Sequence, residues 1–443
     1  MWAQKAMWRA LEASDDDSVF NLTGCWPMTD CPIPDRVLDA LDLLVNRHET
    51  LRTTYAIVDG TPAQRVLPHS GISVDIVDGE HSATEAKALA ADLGRARFDF
   101  LHEPPLRVQM LCAGGRVRYV LIAVCHLALD AWSFELLRRE LMTVVEHGAS
   151  CLPPTSQPLA RVAFEQSAQG QQLQYRTLNY WERCMRHAPA AMITPLNGIN
   201  TETVERRGMV SPALAAGVKE LEAAVGVSGS TIVLAATTLA LAVACGCDTS
   251  FVRTITTTRF RRGDRHLLGA FNQEAPLYVD RTCDTFTNYA HVCVEAAHRA
   301  YRSCECDTDA LGERVEQVLA ERRIAPGGYC FFNDVRFAWR GSAAAYESGD
   351  SEPHRLGEVV ELPPKVEAGA MFFLTLAGLG TSAVLSLSKD RRFLPHISTT
   401  GFLRGIERIV LRAAQDTLGS PADLTADELL IAEGTSSEVR HDV

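Results

Sequence analysis

The sequence predicts an α/β protein built as two lobes, and three observations carry that expectation. With 443 residues, 47% of them hydrophobic, the chain can bury two cores rather than one. The run Arg116-Val117-Arg118-Tyr119-Val120-Leu121-Ile122-Ala123 has the β-branched and aromatic content of a strand. Beyond it, Phe134, Leu137, Leu141, Val144 and Val145 recur at helical spacing up to Gly148, a C-cap residue, so a strand passes through one turn into a helix. From Cys151 to Gln172 the composition shifts to Pro, Ser and Gln, which places a boundary there and divides the chain into lobes 1–175 and 176–443.

The turn reads Val124-Cys125-His126-Leu127-Ala128-Leu129-Asp130-Ala131-Trp132-Ser133 and is the candidate site. It presents a histidine, with an aspartate four residues later at the helix start, a placement that suits a general base beside a helix N-terminus. Adjacent side chains on a strand point to opposite faces, so Cys125 and His126 cannot form a thiol–imidazole dyad if the strand continues through them. His126 is the expected working residue and Cys125 a small buried hydrophobe. A lone histidine is more often a hydrogen-bonded structural residue. The spaced Asp130 and the following Trp132-Ser133 argue for function here.

Bulk properties narrow the partners. A net charge of −12 without a sustained basic run argues against nucleic acid or an anionic membrane. The N-terminus lacks an apolar signal core, and the most hydrophobic run, Ile232 to Cys245, falls short of a membrane span. Thirteen cysteines, an odd number, without a secretory signal point to reduced thiols in a cytoplasmic protein. The pairs Cys245/Cys247 and Cys304/Cys306 lack the partner spacing of a zinc site, so no metal is expected.

In chain order, Ala3-Gln4-Lys5-Ala6-Met7-Trp8 fits an amphipathic N-terminal helix. Pro34 opens a helix with apolar Val37, Leu38, Leu41, Leu44 and Val45, which ends in Arg47-His48-Glu49-Thr50-Leu51-Arg52-Thr53-Thr54-Tyr55. A hairpin at Gly114-Gly115 joins Pro105-Leu106-Arg107-Val108-Gln109-Met110 to the strand that delivers His126. The second lobe opens around Val204, with a helix Thr231–Cys245 and a strand Phe251–Ile255. An arginine-rich loop, Thr258-Arg259-Phe260-Arg261-Arg262-Gly263-Asp264-Arg265, follows and leads to Leu268-Gly269-Ala270-Phe271-Asn272-Gln273-Glu274-Ala275-Pro276-Leu277. A strand at Tyr329–Asn333, a late hairpin over 373–388 and a helix Ile397–Ala414 complete the lobe, and the polar tail after Ser420 is expected to fray.

His126-x-x-x-Asp130 followed by Ala131-Trp132-Ser133 resembles the third core motif of nonribosomal peptide synthetase condensation domains, usually H-H-x-x-x-D-G-W-S, with Cys125 for the first His and Ala131 for the Gly. Arg47-His48-Glu49-Thr50-Leu51-Arg52-Thr53-Thr54-Tyr55 is similar to the second motif, R-H-E-x-L-R-T-x-F. The fifth, I-G-x-F-x-N-T-L-P-L, is matched at Gly269, Phe271, Pro276 and Leu277, with Asn272 one place early. Ala3–Trp8 is similar to the first motif, whereas Cys304-Glu305-Cys306-Asp307, where the family carries H-Q-D-V-P-F-E, has no match. An Asp in place of Cys125 would mark a cyclisation domain, and Trp-Ser directly after Asp-Ala disfavours epimerisation. No carrier site, adenylation signature or thioesterase motif is apparent, so a free-standing or excised domain is expected.

The resemblance implies two chloramphenicol-acetyltransferase-like αβ lobes in a V, an active-site tunnel between them, and a second lobe that carries a floor loop and a latch. It also implies an acyltransferase of nonribosomal peptide, antibiotic and other secondary metabolism. The enzyme would form an amide or ester bond between a carrier-protein-bound acyl thioester and an amine or alcohol. The acyl group would ride on 4′-phosphopantetheine, with no bound cofactor, and the chain would act as a monomer. His126, Asp130 and the backbone N–H near Ala131 form the implied catalytic set. Cys125, Trp132, Ser133, Arg259 and Asn272 are expected along the substrate path, and Arg52 is expected to hold Asp130 in a buried ion pair. The alternative is a condensation-like domain that forms no bond and recruits another enzyme or performs a side reaction. A coenzyme-A-dependent acyltransferase is a third reading, set back by the missing D-F-G-W-G.

Overall fold

Strand residues 116–124 send alternate side chains into two different cores, and this layers the first half of the chain. Val120, Ile122 and Val124 join one apolar cluster, while Leu121 and Tyr119 join another on the opposite face. The computed structural model describes residues 1–431 apart from 13, 15, 69–71, 194–197, 337–354 and 368. The chain divides into two compact units. One comprises Met1–Tyr175, Thr257–Gln273 and Glu305–Asp309, the other Arg176–Thr256, Glu274–Cys304 and Ala310–Val443. Thr257–Gln273 and Glu305–Asp309, expected with the second lobe, therefore group with the first.

The first unit opens with α1 (Trp2–Glu12), β1 (Leu22–Pro27) and α2 (Pro34–Arg47). A two-stranded hairpin follows, β2 (Thr53–Val58) with β3 (Thr61–Val66), then β4 (Val74–Asp78) and α3 (Ala83–Arg95). Next come β5 (Leu106–Ala113), β6 (Arg116–Val124), α4 (Ala131–His147), α5 (Pro158–Gln166) and α6 (Ala168–His187), which runs on into the second unit. The main sheet has the order β1-β6-β5-β4, so β6 is an interior strand. Gly114 and Gly115, both at positive φ (59° and 71°), make the tight turn between β5 and β6. The apolar stripe of α2 (Val37, Leu41, Leu44) and that of α4 (Leu137, Leu141, Val145) cover one face of the sheet. Ala86 and Ala90 of α3 cover the other. The Pro/Ser/Gln-rich region read as a boundary is largely helical, since α5 starts at Pro158 and α6 follows within two residues of its end.

The second unit continues with β7 (Val204–Ser211), α7 (Pro212–Val225), α8 (Gly229–Ala244), β8 (Thr249–Thr257) and β9 (Asn272–Asp280). Then come α9 (Phe286–Tyr301), α10 (Thr308–Glu321), β10 (Tyr329–Asp334), β11 (Glu358–Glu361), β12 (Ala370–Leu379), β13 (Ala383–Asp390) and α11 (Thr399–Ala414). Its sheet has the order β11-β7-β13-β12-β10-β8-β9. Helix α8 is apolar all round because it is the core helix, with Ile232, Leu234, Leu239 and Leu241 all buried. Among the described residues no single helix is long and apolar enough to cross a membrane. The tail does not fray directly after Ser420: Leu424, Leu429 and Leu430 are buried in the core that includes α11, while residues 432–443 lie outside the described part. Apolar residues scattered through a polar tail were enough to dock it.

Candidate active site

Strand β6 stops at Val124, so Cys125 and His126 lie on a turn rather than on the strand end. The carbonyl of Cys125 accepts from the N–H groups of Ala128 (3.0 Å) and Leu129 (3.3 Å), which curls the chain after the histidine. The Cys125 N–H is fixed in turn on the Pro105 carbonyl at 3.0 Å. The Cys125 side chain packs with Leu11, Tyr55, Phe98 and Leu127. Burial pushes its thiol up to about 12, so it stays protonated and weakly nucleophilic at neutral pH. Cys125 thus packs in the interior, out of solvent, rather than facing an open path. Iodoacetamide at pH 8 is expected to label exposed Cys151 and to spare Cys125 until the protein unfolds. Peptide mapping checks this, and carboxamidomethylated Cys125 in the native protein would overturn it.

From Leu121 to Asp130 every residue is buried except His126, which is partly exposed. Two further sequence motifs hold its turn. The Gln4 side-chain amide donates to the Leu127 carbonyl (3.3 Å) and to the Tyr55 hydroxyl (3.4 Å), and Thr50 Oγ1 donates to the Ala128 carbonyl (3.0 Å). Neither Gln4 nor Thr50 was singled out from sequence as a site residue. Their signal was only their place in the first and second motifs.

Asp130 is the N-cap of α4, with φ −86° and ψ 172°, and is fully buried. One carboxylate oxygen accepts from the Ser133 N–H (2.7 Å) and from an Arg259 guanidinium nitrogen (3.1 Å), and the other accepts from the Phe271 N–H (3.1 Å). These partners belong to the α4 start and to the loop before β9, so the Asp130 carboxylate ties those two segments together. The expected pairing with Arg52 is corrected here. Arg52 donates to the Leu67 carbonyl at 2.5 Å, and the cation on Asp130 is Arg259, whose side chain is 3% exposed.

Arg259 organises the loop between β8 and β9 from inside. It donates to the carbonyls of Asp264 (2.8 Å), Leu267 (2.6 Å) and Gly269 (3.3 Å), bonds Ser133 Oγ, and lies 4.1 Å over the Phe271 ring. Ser133 Oγ also donates to the Gly269 carbonyl (2.7 Å) and accepts its N–H (3.0 Å). A side chain at Gly269 would place Cβ 2.8 Å from the Phe271 ring, which explains glycine there. The Arg259 and Ser133 side chains, expected along the substrate path, are buried and join the third and fifth motifs through these bonds. Trp132 and Asn272 are partly exposed, the latter at the start of β9.

Ala131 opens α4, and its backbone is not among the positive-φ residues, so its methyl adds bulk without strain. Its N–H is one of the four at a helix start that find no partner within the helix. Further along α4, Glu140 accepts from His48 Nε2 at 2.6 Å, with both groups buried, so the second motif holds this helix as well as the turn before it.

Two αβ units with a histidine turn at the end of an interior strand define a fold seen in solved proteins. The condensation domain of the Monacolin K polyketide synthase MokA superposes with a TM-score of 0.69 at 18% identity, over 95% of this chain and 97% of that one. SgcC5 of Streptomyces globisporus gives 0.67 at 18% identity, over 92% and 98%. The fold is thus the two-lobe, chloramphenicol-acetyltransferase-like one. A family model, Condensation domain, matches residues 1–321, and the chain belongs to that family. Cyclosporin synthetase simA of Tolypocladium inflatum is 33% identical over 147 residues, 32% of this chain. The chain spans only 1% of that synthetase.

Proposed function

We propose that the chain is a condensation enzyme that joins a carrier-protein-bound acyl thioester to an amine or an alcohol. The observation that carries this reading is His126: a partly exposed residue in an otherwise buried run, on a turn held by Gln4, Thr50 and the Pro105 carbonyl. The family acts on acyl groups carried by phosphopantetheine, which is substrate here. The nucleophile's nitrogen or oxygen attacks the thioester carbonyl carbon, and the C–S bond breaks from the resulting tetrahedral adduct. His126 orients the nucleophile and takes its proton, which then goes to the departing pantetheine thiolate. The products are an amide or ester and a free pantetheine thiol. The N–H of Ala131, at the positive end of the α4 dipole, faces the charge that develops on the carbonyl oxygen. Asp130 and Arg259 touch no reacting atom and keep the helix start and the loop in register.

The test is intact-protein mass spectrometry of acylated carrier protein with candidate amines and alcohols. Conversion of His126 to Ala is expected to lower turnover by about 10²-fold or more. Undiminished turnover would remove His126 from the mechanism. Efficient use of acyl-coenzyme A in place of acyl-carrier would instead support the coenzyme-dependent acyltransferase reading.

A further inference from the structure

We propose that Gln4, acting with Thr50, is a positioning residue that sets the His126 imidazole. The inference rests on the assignment of His126 as the working base. Its ground is the pair of carbonyls that follow the histidine. Leu127 O accepts from the Gln4 amide at 3.3 Å, and Ala128 O from the Thr50 hydroxyl at 3.0 Å. A turn of this length without side-chain anchors samples several conformations, and each would aim the ring differently. Two side-chain donors, both buried, restrict that freedom.

The anchors are themselves held. Gln4 also donates to the Tyr55 hydroxyl (3.4 Å), and Tyr55 is buried beside Cys125. Gln4 sits on α1, where Lys5 Nζ lies 2.6 Å from Asp307 and Arg9 lies 3.0 Å from Asp309. The backbone N–H of Trp2 donates to buried Glu165 at 2.9 Å. These contacts fix the rotation of α1, so the Gln4 amide faces the turn rather than solvent. Thr50 follows the α2 terminus at His48, whose ring is clamped on Glu140 of α4. Helix α4 is the one that Asp130 caps, so both ends of the 126–130 loop refer back to the same framework. The effect on chemistry is geometric. A base displaced by about 1 Å from its attack position loses on the order of 10²-fold in rate.

Gln4→Met keeps the length and the apolar stem and removes the donor. Thr50→Val does the same for the second anchor and serves if the first variant folds poorly. Hydrogen exchange of the substrate-free protein reads the turn directly. The peptide covering residues 125–131 is expected to exchange about tenfold faster in either variant, because the Ala128 and Leu129 amides lose a rigid acceptor. The β5–β6 hairpin is expected to keep its protection. Exchange unchanged over 125–131, or raised equally across the hairpin, overturns the proposal. With any donor–acceptor pair that turns over, Gln4→Met is expected to lower kcat about tenfold with KM within about twofold. A change in KM alone overturns it. In the His126→Ala background, Gln4→Met is expected to cost nothing further, and an additive loss overturns the claim that it acts through the imidazole. If His126→Ala keeps full turnover, the functional reading fails, and the exchange data still decide whether Gln4 sets the turn.

Discussion

Replacing Arg259 by Leu is expected to destabilise the protein by about 3–5 kcal/mol, because it strands a buried carboxylate. Asp130 is fully buried, and the Arg259 side chain is 3% exposed. Loss of the guanidinium also removes the bonds to Asp264, Leu267 and Gly269 carbonyls and the contact with Ser133 Oγ. The remaining N–H donors to Asp130, from Ser133 and Phe271, soften the loss without neutralising the charge. A second substitution, Asp130→Asn, is expected to recover part of the stability while leaving turnover low, since the α4 start and the Gly269 loop stay uncoupled. Denaturation midpoints of the two single variants and the double variant measure this. If Arg259→Leu is as stable as the parent, or if Asp130→Asn makes it worse by its own full cost, the ion pair is not what holds the helix start.

The second large effect lies at Arg161. Its guanidinium is 2% exposed and faces three buried carboxylates. It sits 3.1 Å from Glu165 and 3.1 Å from Asp264, and it bonds Glu305, which also takes Arg261 at 2.9 Å. Arg161→Met removes the cation that bridges all three carboxylates and leaves like charges crowded in low dielectric. The expected loss is again about 3–5 kcal/mol. Arg161→Lys keeps the charge but not the planar fork and should fall between. Beyond the denaturation midpoint, the segment 305–309 is expected to exchange faster in Arg161→Met, since Glu305 is one of its anchors. A midpoint shifted by no more than about 0.5 kcal/mol, the ordinary range for surface substitutions, would show that the network is dispensable.

Both sites expose the limit of reading along the chain. Arg52 and Arg259 were equally available as partners for Asp130, and the choice of Arg52 followed the motif match. A guanidinium reaches its carboxylate across 129 positions here, a pairing that no local pattern encodes. The segment Cys304-Glu305-Cys306-Asp307 matched no motif, yet Glu305 binds Arg161 and Arg261, and Asp307 binds Lys5. Its acids are useful only because the fold brings them to those cations. Gln4 and Thr50 looked like helix and helix-end residues, which they are, and their donors find the His126 turn only after the lobe has closed around it.

What the sequence by itself determined was the order of elements and the place of His126 on the turn between strand and helix. The β-branched run before His126, the apolar spacing after Asp130 and the capping aspartate are local signals, and strand, turn and helix formed where those signals lay. The glycine pair at 114–115 and the apolar stripe of residues 34–47 were legible for the same reason. What only the tertiary structure decided was which polar groups work as struts. Cys125, Ser133 and Arg259 share with His126 the residue types of a reactive site, but burial removes their side chains from solvent, and Ser133 and Arg259 spend most of their hydrogen bonds on the framework. Burial depends on contacts many residues away, and those contacts exist only once the chain has folded.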